Sequence, residues 1–116
     1  MVDKYIDQIA IIADERKFVS ALIIPEYRLL EEYAREHNIN FTDRRDLCQN
    51  QQIHQMLAER IDTLQQQLAQ YEQVKRFTLL PQPFSLERGE LTNTLKIKRR
   101  ILNENYKAQI DKMYEE

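Results

Sequence analysis

The sequence predicts an α+β fold, a small and mostly antiparallel sheet of about three strands packed with helices. Three observations predict it. The runs "YIDQIAIIAD" and "FVSALIIP" are apolar on both faces and are parted by the polar turn "DERK", the pattern of a covered β-hairpin. Between Ile53 and Tyr71, apolar residues return at the 3.6-residue period of a helix. A third apolar run, "VKRFTLLPQPF", is ended by two prolines. At 116 residues, with 42% hydrophobic and 31% charged residues, the chain has the size and composition of one folded domain, 1–116.

The elements follow in order. In the first strand, Ile9 and Ile11 fall on one face and Ala10 and Ile12 on the other. Pro25 suits the first turn of the helix that follows, where its missing N–H costs nothing. "EYRLLEEYAREH" then spaces Leu29, Leu30, Tyr33 and His37 for one face, and Asn38 is the expected stop. "NINFTDRRDLCQN" reads as a loop or a short helical turn. The longest helix carries the stripe Ile53, Leu57, Ile61, Leu64, Leu68 and Tyr71; a single stripe of that length fits a helix laid on a sheet better than a coiled coil. Pro81 and Pro83 end the third strand, "SLERGE" is a turn, and the last segment puts Leu102, Tyr106, Ile110 and Met113 on one helical stripe. No internal repeat or domain boundary interrupts the chain.

Composition excludes several functions. The net charge of −2 argues against a dedicated nucleic-acid binder, which carries a basic excess. Cys48 is the only cysteine, so no disulfide forms within the chain and a reducing cytosol is the expected setting. The N-terminus has no signal-peptide pattern, and no apolar run is long enough to span a bilayer. Gly89 is the only glycine. Phosphate-cradling loops need several glycines to bring backbone amides to the anion, so a nucleotide pocket cannot be built from this chain alone.

Single residues add little chemistry. His37 and His54 lack partners at metal-ligand spacing and read as helix-face histidines. Cys48 reads as a small apolar group, and Glu31, Glu32 and the tail "YEE" as solvated charge. No nucleophile, base and orienting acid stand together, and no metal is expected in the chain. One stretch remains, "GELTNTLKIKRR", with Lys96, Lys98, Arg99 and Arg100 inside five positions at or just before a helix start. Cations there oppose the helix dipole, a local cost of a few tenths of a kcal/mol each. Pattern leaves three readings open: a solvated helix end, a nucleic-acid patch, or a lysine presented to phosphate from a glycine-started turn.

The stretch "PFSLERGELTNTLKIKRRILNENYKAQIDKMY" resembles the end of long-chain fatty-acid–CoA ligases of the AMP-forming, adenylate-forming superfamily. There the pattern runs roughly f-s-x-e-N-G-x-L-T-P-T-L-K-x-K-R, followed by a helix ending in I-x-x-[LM]-Y. Upstream, "IDQIAIIADERKFVSALIIPEY" is similar to that family's strand, charged loop and "ALI-P" strand, so the resemblance covers nearly the whole chain. It implies the small α+β C-terminal domain of such a ligase. The family joins a fatty acid to ATP, giving acyl-adenylate and pyrophosphate, and then passes the acyl group to coenzyme A. The small domain swings as a lid between the two half-reactions.

The resemblance also assigns residues. Lys96 matches the adenylation lysine, the one catalytic residue expected, contacting carboxylate and α-phosphate oxygens. Gly89 matches the turn glycine, Thr92 and Thr94 the motif threonines that shape the loop, and Lys98 and Arg99 the cations that support the helix start or the interface with the larger domain. Two positions depart from the pattern, Asn93 standing for proline and Arg88 for asparagine. The nucleotide loop, the adenine-binding segment and the hinge motif of the family have no match here. The expected protein is therefore an excised lid that starts just after the hinge, inactive alone and binding no cofactor itself. ATP, Mg2+ and coenzyme A belong to the full-length enzyme, and the main partner is the larger N-terminal adenylation domain. A cytoplasmic location is expected, with membrane association open to the full-length enzyme, no anchor in this segment, and self-association open to the bared lid. The alternatives are a stand-alone interaction or regulatory module and, third, a small nucleic-acid-binding protein using "KIKRR".

Overall fold

The computed structural model describes residues 3–13 and 17–115. Strands β1 (Ile6–Ile12) and β2 (Val19–Pro25) form the expected antiparallel hairpin, pairing Ile9 with Ile23 and Ile11 with Ala21. The turn expected at 14–17 lies outside the described residues except for Lys17. Strand β3 (Val74–Leu79) completes a sheet of order β1-β2-β3. The sheet is α+β as expected and mixed, because β3 runs parallel to β2. The reason is the long helical connection between them: it returns the chain to the end from which β2 started, as parallel pairing requires.

Both sheet faces are covered. Ala21 and Ile23 point into a core completed by Tyr27, Leu30, Leu47, Ile53 and Leu57 from three helices. Leu22 and Ile24, with Ala10 and Ile12, point into a second core completed by Leu80, Phe84, Leu91, Leu102 and Ile110. Central strand β2 is consequently closed to solvent, with Ser20 to Ile24 at 0–1% exposure. At about 1.5–3 kcal/mol per fully buried aliphatic side chain, this strand anchors the fold.

Helix α1 (Tyr27–Glu36) starts after Pro25, which closes β2 opposite Ile6 instead of entering the helix. Its buried stripe is Tyr27, Leu30 and Ala34; His37 is exposed and stacks on Tyr33. The spacing was right and the phase was off, because the sheet draws in the side of the helix that Ala34 occupies. Asn38 is the stop it was expected to be. It adopts φ 57°, and the bonds from Ile39 N to Ala34 O and from Asn38 N to Arg35 O close a Schellman motif. Helix α2 (Arg44–Gln49) is the short helical turn, capped by Asp43 accepting from Asp46 N at 2.9 Å.

Helix α3 (Gln51–Leu64) buries Ile53, Leu57 and Ile61 as the period requires, but stops short of the predicted stripe. Leu64, Leu68 and Tyr71 are exposed. Gln65 explains the stop. Its buried side-chain amide accepts from Val74 N at 2.9 Å and donates to Val74 O at 3.0 Å, pairing with the start of β3 as another strand would. A short 3-10 turn, Gln70–Glu72, leads into that strand.

The last segment is two helices, α4 (Arg99–Asn105) and α5 (Lys107–Met113), broken at Tyr106. Leu102, Ile110 and Met113 are buried on one stripe, with Tyr106 half-buried between them. Of the tail, Glu115 is exposed as expected and Glu116 lies outside the described residues, whereas the Tyr114 hydroxyl accepts from Ser20 Oγ at 2.9 Å and donates to Phe18 O at 2.6 Å, closing the second core.

Candidate functional site

The segment from Ser85 to Lys98 is irregular, yet many of its backbone groups are hydrogen-bonded. Ser85 Oγ accepts from Glu87 N at 3.0 Å and nucleates a turn. That turn closes as the end of a helix closes, with Glu90 N donating to Ser85 O at 2.9 Å and Gly89 N to Leu86 O at 3.0 Å. Gly89 supplies the left-handed residue at φ 74°. A Cβ there would meet nothing nearer than Ile101 at 4.0 Å, so conformation and not space demands glycine.

Glu90 then sinks to 0% exposure, which sequence reading missed. One carboxylate oxygen accepts from Ser85 N at 3.1 Å and from Arg88 Nε and Nη2 at 3.2 and 2.9 Å; the other accepts from Asn105 Nδ2 at 3.1 Å. Burial pushes its carboxyl up, but Asn105, the Tyr106 hydroxyl, Arg88 and the Ser85 amide together hold it below the usual glutamate value. Burial and the Glu90 charge in turn push the Tyr106 phenol up. Arg88, a departure from the resembled pattern, is thus the guanidinium that neutralises this carboxylate. No sequence signal marks the set, because an Arg and a Glu two apart beside a glycine look like ordinary surface charge.

Upon this anchor stands a short hairpin. Leu91 pairs with Ile97, Lys98 N donates to Glu90 O at 2.8 Å, and Thr92 N donates to Lys96 O at 2.8 Å. Leu95 N donates back to Thr92 O at 2.8 Å, and Leu95 takes φ 64°. This is the bonding of a three-residue hairpin loop whose last residue is left-handed, a place where glycine is the usual occupant. A leucine there costs about 1–2 kcal/mol.

The expected threonines do shape the loop. Thr92 Oγ accepts from Lys96 N at 3.0 Å and lies 3.0 Å from Thr94 Oγ, so the two hydroxyls share a hydrogen bond. Asn93 is exposed at the tip. Lys96 is exposed directly after it and makes no ion pair among the described residues. Lys98 occupies the N-cap position of α4, and Arg99 and Arg100 its first turn; Arg100 alone has a partner, the exposed Glu104 at 3.6 Å. The structure thus brings Gly89, Thr92, Thr94 and Lys96 into one built loop and leaves Lys98 and Arg99 as solvated cations at its foot.

Two surface grooves open away from this lysine, one beside His54, Phe77 and Leu80 and one beside Arg28, Glu31 and Arg44, and neither is lined by a hairpin residue. His54 lies flat on Phe77 with ring centroids 4.1 Å apart, and the Cys48 thiol meets the Tyr27 hydroxyl, so both are structural. Burial pushes that thiol up, away from the reactive thiolate. Among the described residues, no three of His, Cys, Asp and Glu converge as metal ligands. No described helix is long and apolar enough to cross a membrane.

Comparison with known proteins agrees with the family resemblance and the fold. Long-chain-fatty-acid–CoA ligase 5 of Rattus norvegicus is 33% identical over 102 residues, covering 86% of this chain and 15% of its own. Long chain acyl-CoA synthetase 2 of Arabidopsis thaliana is 31% identical over 101 residues, covering 85% and 15%. The chain therefore spans about 15% of the length of the curated relatives it matches. Among solved structures, the A-PCP didomain of carboxylic acid reductase from Segniliparus rugosus, in complex with AMP, superimposes with a TM-score of 0.73 over 96% of this chain and 14% of that one, at 18% identity, a likeness of fold. A family model described as the AMP-binding enzyme C-terminal domain matches residues 1–116, and the chain belongs to that family.

Proposed function

We propose that this chain is the lid of an AMP-forming long-chain fatty-acid–CoA ligase, and that Lys96 is the catalytic residue it delivers. One observation carries the reading: Lys96 stands exposed beside the tip of a hairpin whose base is tied to buried Glu90, its backbone bonded to Thr92 and its side chain without an ion pair among the described residues. An unpaired charge on so firmly bonded a backbone is suited to a site completed by another body.

In the first half-reaction the fatty-acid carboxylate attacks the α-phosphorus of ATP, the bond to pyrophosphate breaks, and charge builds on the oxygens between the reactants. The ammonium of Lys96, a compact point charge, stabilises that charge as the lid closes. In the second, the coenzyme A thiol attacks the acyl carbonyl, AMP leaves, and the thioester forms with the lid rotated and the lysine withdrawn. The larger N-terminal domain holds ATP, Mg2+, coenzyme A and the acyl chain; no step assigned to this chain runs through the metal, and the isolated lid is inactive. Lys98 and Arg99, unpaired at the foot of the hairpin, support the contact with that domain. Thr92 and Thr94 keep the loop in shape, and Gly89 sets its origin.

The test is Lys96→Ala in the ligase carrying this chain. Acyl-adenylate formation should fall by about 10²–10³-fold, the cost of losing one aimed charge-stabilising group. Thioester formation from supplied acyl-adenylate should stay near the parent rate. Normal rates in both half-reactions would sink the proposal.

A further inference from the structure

We infer that Leu95 is a docking anchor, an apolar side chain that seats in an apolar recess of the larger adenylation domain as Lys96 enters the reaction centre. The inference rests on the reading of Lys96 above and extends it to the contact that brings the lysine into place.

Leu95 is 65% exposed at the hairpin tip, so it adds little to the packing of the fold. It also sits at φ 64°, where glycine would rest without strain. A residue that strains the backbone and buries little is poorly explained by the domain itself. Strain of this kind collects where a surface is held ready for a ligand or partner.

The partner follows from adjacency. Leu95 N and Lys96 N are both tied to Thr92, to its carbonyl and its hydroxyl, at 2.8 and 3.0 Å. The backbone of the two residues is therefore held as one unit, and a body that closes over Lys96 comes up against Leu95 beside it. Around Leu95 the exposed neighbours are polar or charged, Asn93, Thr94, Lys96 and Lys98. An apolar centre inside a polar rim is the anatomy of a protein interface. Leu64, Leu68, Leu86 and Tyr71 are also exposed, but among these large apolar residues only Leu95 is left-handed.

The experiment uses the ligase carrying this chain and follows both half-reactions for Leu95→Asn, Leu95→Met and Lys96→Ala. Asparagine tolerates the left-handed backbone but removes the apolar contact, whereas methionine keeps the contact. Leu95→Asn should slow acyl-adenylate formation about 10- to 100-fold, as expected for losing a buried leucine contact in the closed state. Thioester formation from supplied acyl-adenylate should stay within about twofold of the parent, and Leu95→Met should retain most adenylation activity. Equal adenylation rates for the Asn and Met variants, both normal or both lost, would overturn the anchor. If Lys96→Ala is inactive while Leu95→Asn runs at the parent rate, only the Leu95 inference falls. Should Lys96→Ala adenylate normally, the reading of the lysine fails and takes the anchor with it.

Discussion

Strand β2 and the hairpin at residues 90–98 put leucine to opposite uses. In β2, Leu22 is fully buried between two strands and beneath a helical layer, in unstrained extended backbone. In the hairpin, Leu95 faces solvent from a left-handed residue next to an unpaired lysine. One region makes the domain and the other is presented by it. The link between them is Glu90, buried like a core residue yet hydrogen-bonded to the turn, to α4 and to the hairpin base. That carboxylate, together with Leu91 and Ile97 packed in the second core, ties the exposed tip to the frame.

The contrast breaks most visibly on stability. Leu22→Ala should destabilise the domain by about 2–5 kcal/mol in denaturant unfolding, because the cavity lies in the fully enclosed strand. Lys96→Ala, which removes the proposed chemistry, should move the same midpoint by no more than about 0.5 kcal/mol. A comparable loss from both would mean that the hairpin is part of the core and not its cargo.

Glu90→Gln tests the link, with an expected loss of about 1–3 kcal/mol at neutral pH. The value stays below that of a closed buried ion pair because Arg88, 40% exposed, can regain water. The pH dependence has a definite sign. The Glu90 carboxyl is held below its ordinary value of 4.5, so its contribution is complete above that pH and is lost as pH falls through the lower folded value. Asp3, held down by Arg60 despite its burial, acts in the same direction and remains in the variant. Parent and variant should therefore converge in stability as pH falls through the lowered folded value of Glu90; a gap that stayed constant into acid would show that Glu90 acts without its charge.

The smallest effects come from exchanging the two left-handed positions of the segment. Gly89→Ala should cost about 1–2 kcal/mol from backbone strain alone, since the space for a methyl is open. Leu95→Gly should leave thermal stability unchanged or raise it by up to about 1 kcal/mol, as relief of strain is offset by the freer unfolded chain. If Leu95→Gly destabilised the domain as much as Gly89→Ala, the tip would be packed more tightly than its exposure indicates.

Much of the frame was legible residue by residue. The alternation of Ile9, Ala10, Ile11 and Ile12 marked a strand covered on both faces, and both cores are there. The spacing of Ile53, Leu57 and Ile61 marked α3, and Asn38 marked the end of α1. Local pattern failed where a distant group decided the outcome. Leu64, Leu68 and Tyr71 continue the helical period, but Gln65 is recruited by Val74 and ends the helix first. His37 lies at the right spacing and on the wrong side, because the position of the sheet sets the phase of α1. In the site, the motif residues were readable as a string, and Thr92, Thr94 and Lys96 fall in one hydrogen-bonded loop. Glu90 was not readable, since its burial depends on Asn105, fifteen residues on, and on Tyr106 at the break between two helices.

By itself, the sequence determined the family, the order of strands and helices, the two-sided covering of the hairpin, and the string that carries Lys96. These rest on side-chain period, turn chemistry and residue identity, all of which act over a few neighbouring positions. Only the tertiary structure decided that β3 runs parallel to β2, that Glu90 is buried and charged, and that Leu95 is held left-handed in solvent. The first two depend on groups brought together from far along the chain, and the third on a loop closed by Thr92 three residues away and presented to solvent by the fold. The energy of a buried charge or a strained residue is set by what surrounds it, and no local pattern records those surroundings.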